Sequence, residues 1–276
     1  MCSGLIETKL LMKCPIRSLC RAGLAIIAAS LASLPVHAET RYAWNPTAQK
    51  TETLQSRFAP PAGFERRPAD PQSFAAWLRD LPMKPQDAPV LLYTGAAKWR
   101  QDVHAAVVDI DVGRRDLQQC ADAVMRLRAE WLYTDGRKSE IAFNDTDGKR
   151  LRFAARSKQD YPGFRKYMDY VFAYAGTYSL ERELIPADAN DIRTGDVFIK
   201  GGFPGHAVLV TDVAVNPATG ERRFLLTQSY MPAQDIHVLR NPTASDGSPW
   251  YRTNFGDTLV TPEWRFTRQQ LRRWKS

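Results

Sequence analysis

The chain reads His206-Ala-Val-Leu-Val-Thr-Asp-Val-Ala-Val215, then Asn216-Pro-Ala-Thr-Gly220, then Arg223-Phe-Leu-Leu-Thr-Gln-Ser-Tyr230, and this order decides the fold. Apolar and β-branched residues fill both long runs, as they do in strands. Asn-Pro and the closing glycine between them are typical of a turn. We therefore predict two antiparallel strands joined by a tight connection.

Further strands are predicted on both sides of this pair. Apolar runs at 196–200 and about 235–239 extend it into a C-terminal antiparallel meander, and residues 140–143 and 149–154 flank an Asn144–Gly148 hairpin signal. Nearer the N-terminus, the sequence predicts strands at 89–93 and 104–112.

Helical patterns dominate the middle of the chain. Residues 116–133 contain neither Gly nor Pro and are rich in strong helix formers. Shorter helices are predicted at 72–81 and 164–174, and a final basic helix at 266–274. Helices followed by an antiparallel meander indicate the α+β class.

Three charged residues of the 116–133 helix recur at four-residue spacing. Asp122, Arg126 and Glu130 share one helix face. Such spacing favours ion pairs in solvent, so we expect a solvated face, with substrate binding as the alternative.

The N-terminal region has the pattern of a secretory leader. Basic residues precede an apolar run from Ala22 to Leu34, and Val36-His37-Ala38 ends it with a small residue. We expect cleavage after Ala38, a start at either Met1 or Met12, and a periplasmic or secreted protein. The expected organisation is a signal peptide at 1–38, an extended proline-dotted arm at 39–71, and one α+β domain at 72–276.

Composition narrows the function classes. The net charge of +8 is spread along the chain, without the basic and aromatic stripe of a nucleic-acid binding site. After the leader, no apolar run approaches the roughly 18 residues that span a bilayer. Asp109 and Asp111 are two carboxylates without further clustered ligands, so the sequence predicts no metal site and no cofactor. The oligomeric state is left open.

One cysteine remains after the leader. Cys2, Cys14 and Cys20 lie within it, so Cys120 cannot form an internal disulfide in the cleaved chain. A small buried apolar residue is one interpretation. The other is a nucleophile in the first helical turn, where free N–H groups favour a thiolate.

A histidine and a glutamine on neighbouring predicted strands complete a candidate site. His206 opens its strand after Gly201-Gly202 and Pro204-Gly205, and Gln228 lies inside the next apolar run. Antiparallel pairing can set the Gln228 amide oxygen against the His206 imidazole and orient the ring. We predict Cys120, His206 and Gln228 as catalytic residues, with His237 as an alternative third member.

The order of these residues resembles that of bacterial cell-wall cysteine peptidases of the NlpC type, which have a papain-like fold. The resemblance rests on a helix-starting cysteine, Gly195-Asp-Val-Phe before a Gly-His, and a polar residue on the next strand. It implies a cysteine helix packed on a C-terminal antiparallel sheet, with Cys120 as nucleophile, His206 as base and Gln228 as the orienting group. The family signature Asp-Cys-Ser-Gly is replaced here by Gln118-Gln-Cys-Ala121, and the third member of that family is usually histidine.

A second resemblance covers nearly all of the chain after the leader. Its stretches are similar to the bacterial exported family called domain of unknown function 4846; they are Asp109–Gly113, Asp116–Glu130, Gly195–Gly202, Gln228–His237 and Pro262–Trp264. We therefore expect an exported thiol hydrolase or acyltransferase that acts on an amide bond, with a peptidoglycan stem peptide or another peptide as substrate. The alternatives are a non-enzymatic cell-envelope binding module and a lipid-directed thiol acyltransferase.

Overall fold

The computed structural model of the chain describes residues 42–45 and 52–275, which belong to one unit spanning 40–276. The leader predicted at 1–38 lies outside the described residues. Twelve strands are formed in this part of the chain: β1 His104–Val107, β2 Ala142–Asn144, β3 Arg150–Arg152, β4 Ile185–Pro186, β5 Val197–Lys200, β6 His206–Val215, β7 Arg222–Gln228, β8 His237–Leu239, β9 Tyr251–Arg252, β10 Thr258–Val260, β11 Arg265–Thr267 and β12 Leu271–Arg273.

Five α-helices accompany them: α1 Leu54–Arg57, α2 Phe74–Arg79, α3 Cys120–Thr134, α4 Tyr161–Tyr174 and α5 Thr177–Glu183. Polar caps fix several of their starts. The Ser73 side chain accepts a hydrogen bond from the Ala76 N–H at α2, and the Asp160 side chain accepts one from Gly163 at α4. At α3, the Asp122 carboxylate accepts the Gln119 N–H at 2.9 Å. Each contact satisfies an otherwise unpaired group of the chain at a helix start.

Eight strands form one antiparallel sheet in the order β1-β8-β7-β6-β5-β12-β4, with β9 paired to β7. The long β6 and β7 pair from Leu209 opposite Thr227 to Val215 opposite Arg222. A bulge between Val210 and Asp212 interrupts their register. Separate hairpins are formed by β2-β3 and by β10-β11.

The predicted α+β, papain-like fold, with the cysteine helix packed on a C-terminal sheet, is wrong. The fold is predominantly β, and three of its five α-helices have seven residues or fewer. Its sheet takes strands from residues 104–107 to 271–273, and so is not confined to the C-terminal part of the chain. Several of these strands have two to four residues, which is too short for an alternating pattern to show in the sequence.

Both faces of the sheet are buried. Ala207 and Leu209 of β6 pack with residues of α2, α3, α4 and α5. Val208 and Val210, which point the other way because side chains alternate along a strand, pack with Leu259 and Phe266 of the β10-β11 hairpin. Every residue of β6 is therefore buried, which is why its sequence is apolar almost without interruption.

The region expected to be an extended arm contributes to this packing. Leu54 of α1 is fully buried, and Glu65 forms a β-bridge with Val215. Arg66 and Arg79 bind the two carboxylate oxygens of buried Asp212 at 2.6 and 2.8 Å. The bulge in β6 thus places a carboxylate where it fastens this segment and α2 to the sheet.

Local predictions have mixed outcomes. The 140–154 hairpin and the strands at 206–215 and 223–230 are confirmed, with small shifts at their ends. The final helix predicted at 266–274 is wrong, because that stretch forms β11, one 3-10 turn and β12. Residues 89–93 form isolated bridges and no strand. Among the described residues, no helix has the length and apolar character required to cross a bilayer.

Candidate functional site

Cys120 and His206 line the same cavity. It has a volume of about 310 Å³ and lies between the start of α3 and the start of β6. Cys120 is half-buried and the His206 side chain is almost fully buried. The other lining residues include Asp122, Phe172, Thr177, Phe203, Gly205, Tyr230 and Trp264.

Two hydrogen-bonded contacts hold the start of α3 beside the end of β7. The Ser229 hydroxyl donates to the Gln118 carbonyl at 2.9 Å. The Asp116 carboxylate accepts the backbone N–H of Ala233 at 2.7 Å. Because both partners directly precede the helix, these contacts place Cys120 next to the strands that carry His206 and Gln228.

The thiol of Cys120 is protonated at rest. Burial, together with the nearby Asp122 carboxyl, raises the pKa of Cys120 to about 11, although the Ala207 N–H and the N–H groups at the helix start act to lower it. Desolvation of the thiolate therefore outweighs the helix terminus. The expectation that the first helical turn favours a thiolate here is wrong.

The His206 ring is held by a glutamine and by aromatic side chains. Its Nε2 lies 2.8 Å from Oε1 of Gln228. The ring centroids of Tyr230, Trp264 and Phe266 lie 4.9, 5.2 and 5.9 Å from that of the imidazole. Ring rotation is thus restricted on several sides, and one nitrogen is already committed to the glutamine.

The protons of this network follow from its partners. The Gln228 amide nitrogen lies 2.8 Å from Oε2 of Glu263 and 3.4 Å from Nε2 of His237. His237 Nδ1 lies 2.9 Å from the Asp235 carbonyl, so it donates there and leaves Nε2 as an acceptor. Both amide hydrogens of Gln228 are then used, its oxygen faces His206, and His206 must donate from Nε2.

The remaining His206 nitrogen, Nδ1, is consequently an unprotonated acceptor. It forms no hydrogen bond with a described residue, and it is not among the sealed side-chain nitrogens of this part of the chain. Burial lowers the pKa of His206 to about 4, partly opposed by the Gln228 contact. The imidazole is neutral near pH 7 and can accept a proton at Nδ1.

Glu263 and Lys98 extend the network inward. Lys98 Nζ lies 2.8 Å from Glu263 Oε1, and their side chains are only 3% and 8% exposed. Glu263 thereby uses one oxygen for the lysine and the other for Gln228. The site prediction did not include these two residues, since Lys98 lies far from the other members in sequence. The only signal was the position of Glu263 within Pro262–Trp264, one of the stretches that carry the family resemblance.

The glycines before His206 are required by close packing. A Cβ atom on Gly205 would overlap Thr177 and would lie 2.7 Å from the Lys200 carbonyl oxygen. Thr177 also donates to the Gly202 carbonyl at 3.2 Å. The loop can therefore pass against α5 only without side chains, as the glycine-rich pattern predicts.

Of the three predicted site residues, Cys120 and His206 line the cavity, and Gln228 lies behind the imidazole. His237 contacts Gln228 and is a step further from the cavity. Within residues 42–45 and 52–275, no group of three or more His, Cys, Asp or Glu side chains could hold a metal ion. Asp111 instead binds Arg126 and Arg165 at 2.8 and 3.1 Å.

The fold and this site define a predominantly β protein with a cysteine and a histidine in one cavity. The family model described as domain of unknown function (4846) matches residues 54–273, and the chain belongs to that family. The match extends from α1 to β12 and includes all residues of the site. Neither the curated proteins nor the solved structures contain a match to this chain.

Proposed function

We propose that the protein is an exported thiol hydrolase or acyltransferase that acts on an amide bond, with peptidoglycan stem peptides as the substrate class. Cys120 is the nucleophile, His206 the base and Gln228 the orienting residue. The observation that supports this proposal is the shared cavity of Cys120 and His206, together with a Gln228 contact that directs the free Nδ1 of the imidazole away from the network.

The reaction begins with a neutral pair. As Sγ of Cys120 attacks the amide carbonyl carbon, its proton passes to Nδ1 of His206, and Gln228 Oε1 accepts the Nε2–H of the imidazolium. The imidazolium then protonates the leaving amine, the C–N bond breaks, and a thioester remains. Water or an amine attacks the thioester with His206 again as base, and the thiol is released.

The two pKa values require this order. With the thiol near 11 and the imidazole near 4, a resting thiolate–imidazolium pair is strongly disfavoured. Proton transfer must then accompany the attack. The N–H of Cys120 and the side chain of Gln119, which lines the same cavity, are the nearest candidate donors to a developing oxyanion. Tyr93, considered for this role from sequence, is not among the lining residues.

Substitution of the two cavity residues tests the proposal. We expect Cys120→Ala and His206→Gln to reduce muropeptide release from purified peptidoglycan by at least about 100-fold. His104→Gln is the matched control, because His104 lies on β1 and does not line the cavity. Unchanged release by folded Cys120→Ala protein excludes the mechanism.

A non-enzymatic envelope-binding module is the second candidate, and the raised pKa of the thiol favours it. Iodoacetamide at pH 7.5 separates the two. If His206 removes the thiol proton, His206→Gln slows alkylation about tenfold or more relative to the unsubstituted protein and to His104→Gln. An inert thiol reacts at equal rates in all three proteins and quickly only after unfolding.

A further inference from the structure

A second and larger cleft adjoins the thiol cavity. Its volume is about 1060 Å³. Tyr230, Met231 and Trp264 line both the cleft and the cavity, so the two share a wall. A cleft of this volume can hold several residues of a peptide.

The cleft carries positive charge that the protein does not neutralise. Arg240 and Arg265 line it, are exposed, and form no ion pair within the described part of the chain. Arg240 donates only its Nε to the His104 carbonyl, at 2.8 Å. The other cations of the cleft are paired, since Arg100 binds Asp102 through two hydrogen bonds and Lys98 binds Glu263.

Large apolar side chains lie beside these arginines. Trp99 is 88% exposed and Met231 is 63% exposed. Single exposed apolar residues are common, but a fully exposed tryptophan on the rim of a basic cleft offers a stacking surface for a ligand. The guanidinium group is planar and presents paired N–H donors that match a carboxylate.

We propose that this cleft binds the carboxylate-bearing part of an acidic peptide, with Arg240 and Arg265 as the residues that select the charge. The inference rests on the proposed function, because that function puts the scissile amide at Cys120 in the adjoining cavity. The substrate would then extend past Tyr230 and Met231, with its acidic group on one side of the reacting bond.

Binding to the Cys120→Ala protein tests the cleft without turnover. Isothermal titration calorimetry is carried out with amine-acetylated muropeptides, and with the same preparation after its carboxylates have been converted to amides. We expect Arg240→Gln and Arg265→Gln, each in the Cys120→Ala background, to weaken binding of the acidic preparation about three- to fivefold. The amidated preparation should bind more weakly still and be insensitive to both substitutions.

Arg152→Gln is the control for the loss of one charge, because Arg152 is exposed on β3, forms no ion pair with a described residue, and lines neither the cleft nor the cavity. Equal binding of the two preparations, equal effects of Arg152→Gln and the cleft substitutions, or no binding of either preparation overturns the proposal. Charge-selective binding without muropeptide release by the unsubstituted protein supports the cleft and rejects the proposed reaction.

Discussion

Two buried polar networks in this protein have different ends. On α3, the Arg126 guanidinium donates to Glu130 at 3.2 Å, to Gln118 at 2.6 Å and to Asp111 at 2.8 Å. Tyr161 of α4 donates to Glu130 at 2.8 Å. Burial acts to lower the pKa of Arg126, but the Glu130 and Asp111 carboxylates raise it above its usual value.

The network of Lys98, Glu263, Gln228 and His206 has a similar chain of charged and polar groups, yet it ends on Nδ1 of an imidazole that lines a cavity. The Arg126 network instead connects protein groups at each end and joins α3 to α4 and to the segment before α3. The comparison suggests that a buried network stabilises the fold when its ends are internal, and positions a reactive group when one end is open.

The largest effect is expected from breaking the first network. Arg126→Met leaves the Glu130 carboxylate fully buried with Tyr161 as its remaining partner, and should lower the free energy of unfolding by about 3–5 kcal/mol. Urea denaturation followed by circular dichroism measures the loss. Arg152→Met, at an exposed arginine, should change stability by less than about 0.5 kcal/mol.

A double substitution decides whether that loss reflects an unpaired charge. Arg126→Met combined with Glu130→Leu removes both charges and should recover most of the stability, since the cost is that of a buried carboxylate without a cation. If the double variant is no more stable than the single one, the pair contributes through attraction, and the interpretation of the first network is wrong.

The second network should affect catalysis more than stability. Gln228→Leu removes the acceptor for His206 Nε2–H, so the ring is free to place its proton on Nδ1, where it cannot accept another. We expect kcat to fall about 100-fold with little change in KM. The ¹⁵N chemical shifts of the His206 ring should report a mixture of tautomers in place of the Nε2–H form.

Gln269→Leu, on the exposed 3-10 turn before β12, is the control for loss of a glutamine amide. An unaltered His206 tautomer in Gln228→Leu would show that the aromatic rings and not the amide orient the imidazole. A fall in stability as large as that of Arg126→Met would remove the distinction between the two networks.

Sequence patterns predicted one part of this arrangement well. β6 and β7 are long, apolar and joined by a clear turn, so their antiparallel pairing and the proximity of Gln228 to His206 could be inferred from strand geometry. Gly205 could likewise be interpreted as a close approach, because only glycine fits against Thr177 and the Lys200 carbonyl.

Other features depended on tertiary packing that the local sequence does not encode. The four-residue spacing of Asp122, Arg126 and Glu130 favoured a solvated face, but all three are buried because α3 packs against the sheet and against α2, α4 and α5. The same burial reverses the expected effect of the helix start on Cys120. Glu263 and Lys98 meet through loops more than 160 residues apart, and no periodicity relates them.

The smallest predicted effect concerns the pH dependence of stability. Burial lowers the pKa of His206 to about 4 and that of His237 to about 3, so between about pH 4 and 6.5 the unfolded chain binds protons that the folded protein does not. Stability therefore rises with pH in that window. Burial also raises the pKa of Asp122 to about 8, so the folded protein keeps a proton that the unfolded chain releases, and stability falls as pH rises to about 8.

These opposite slopes predict a maximum near pH 6.5 and a decline of about 1–2 kcal/mol by pH 8. Asp122→Asn should remove the decline, since asparagine keeps an oxygen for the Gln119 N–H and cannot ionise, whereas Asp147→Asn on the exposed hairpin should leave it unchanged. The measurement is the difference between unfolding free energies of variant and unsubstituted protein at each pH, which cancels the contributions of other carboxyls. A flat difference would mean that Asp122 is ionised when folded. Its charge would then oppose the Cys120 thiolate at neutral pH and the cavity would hold a carboxylate beside the sulfur.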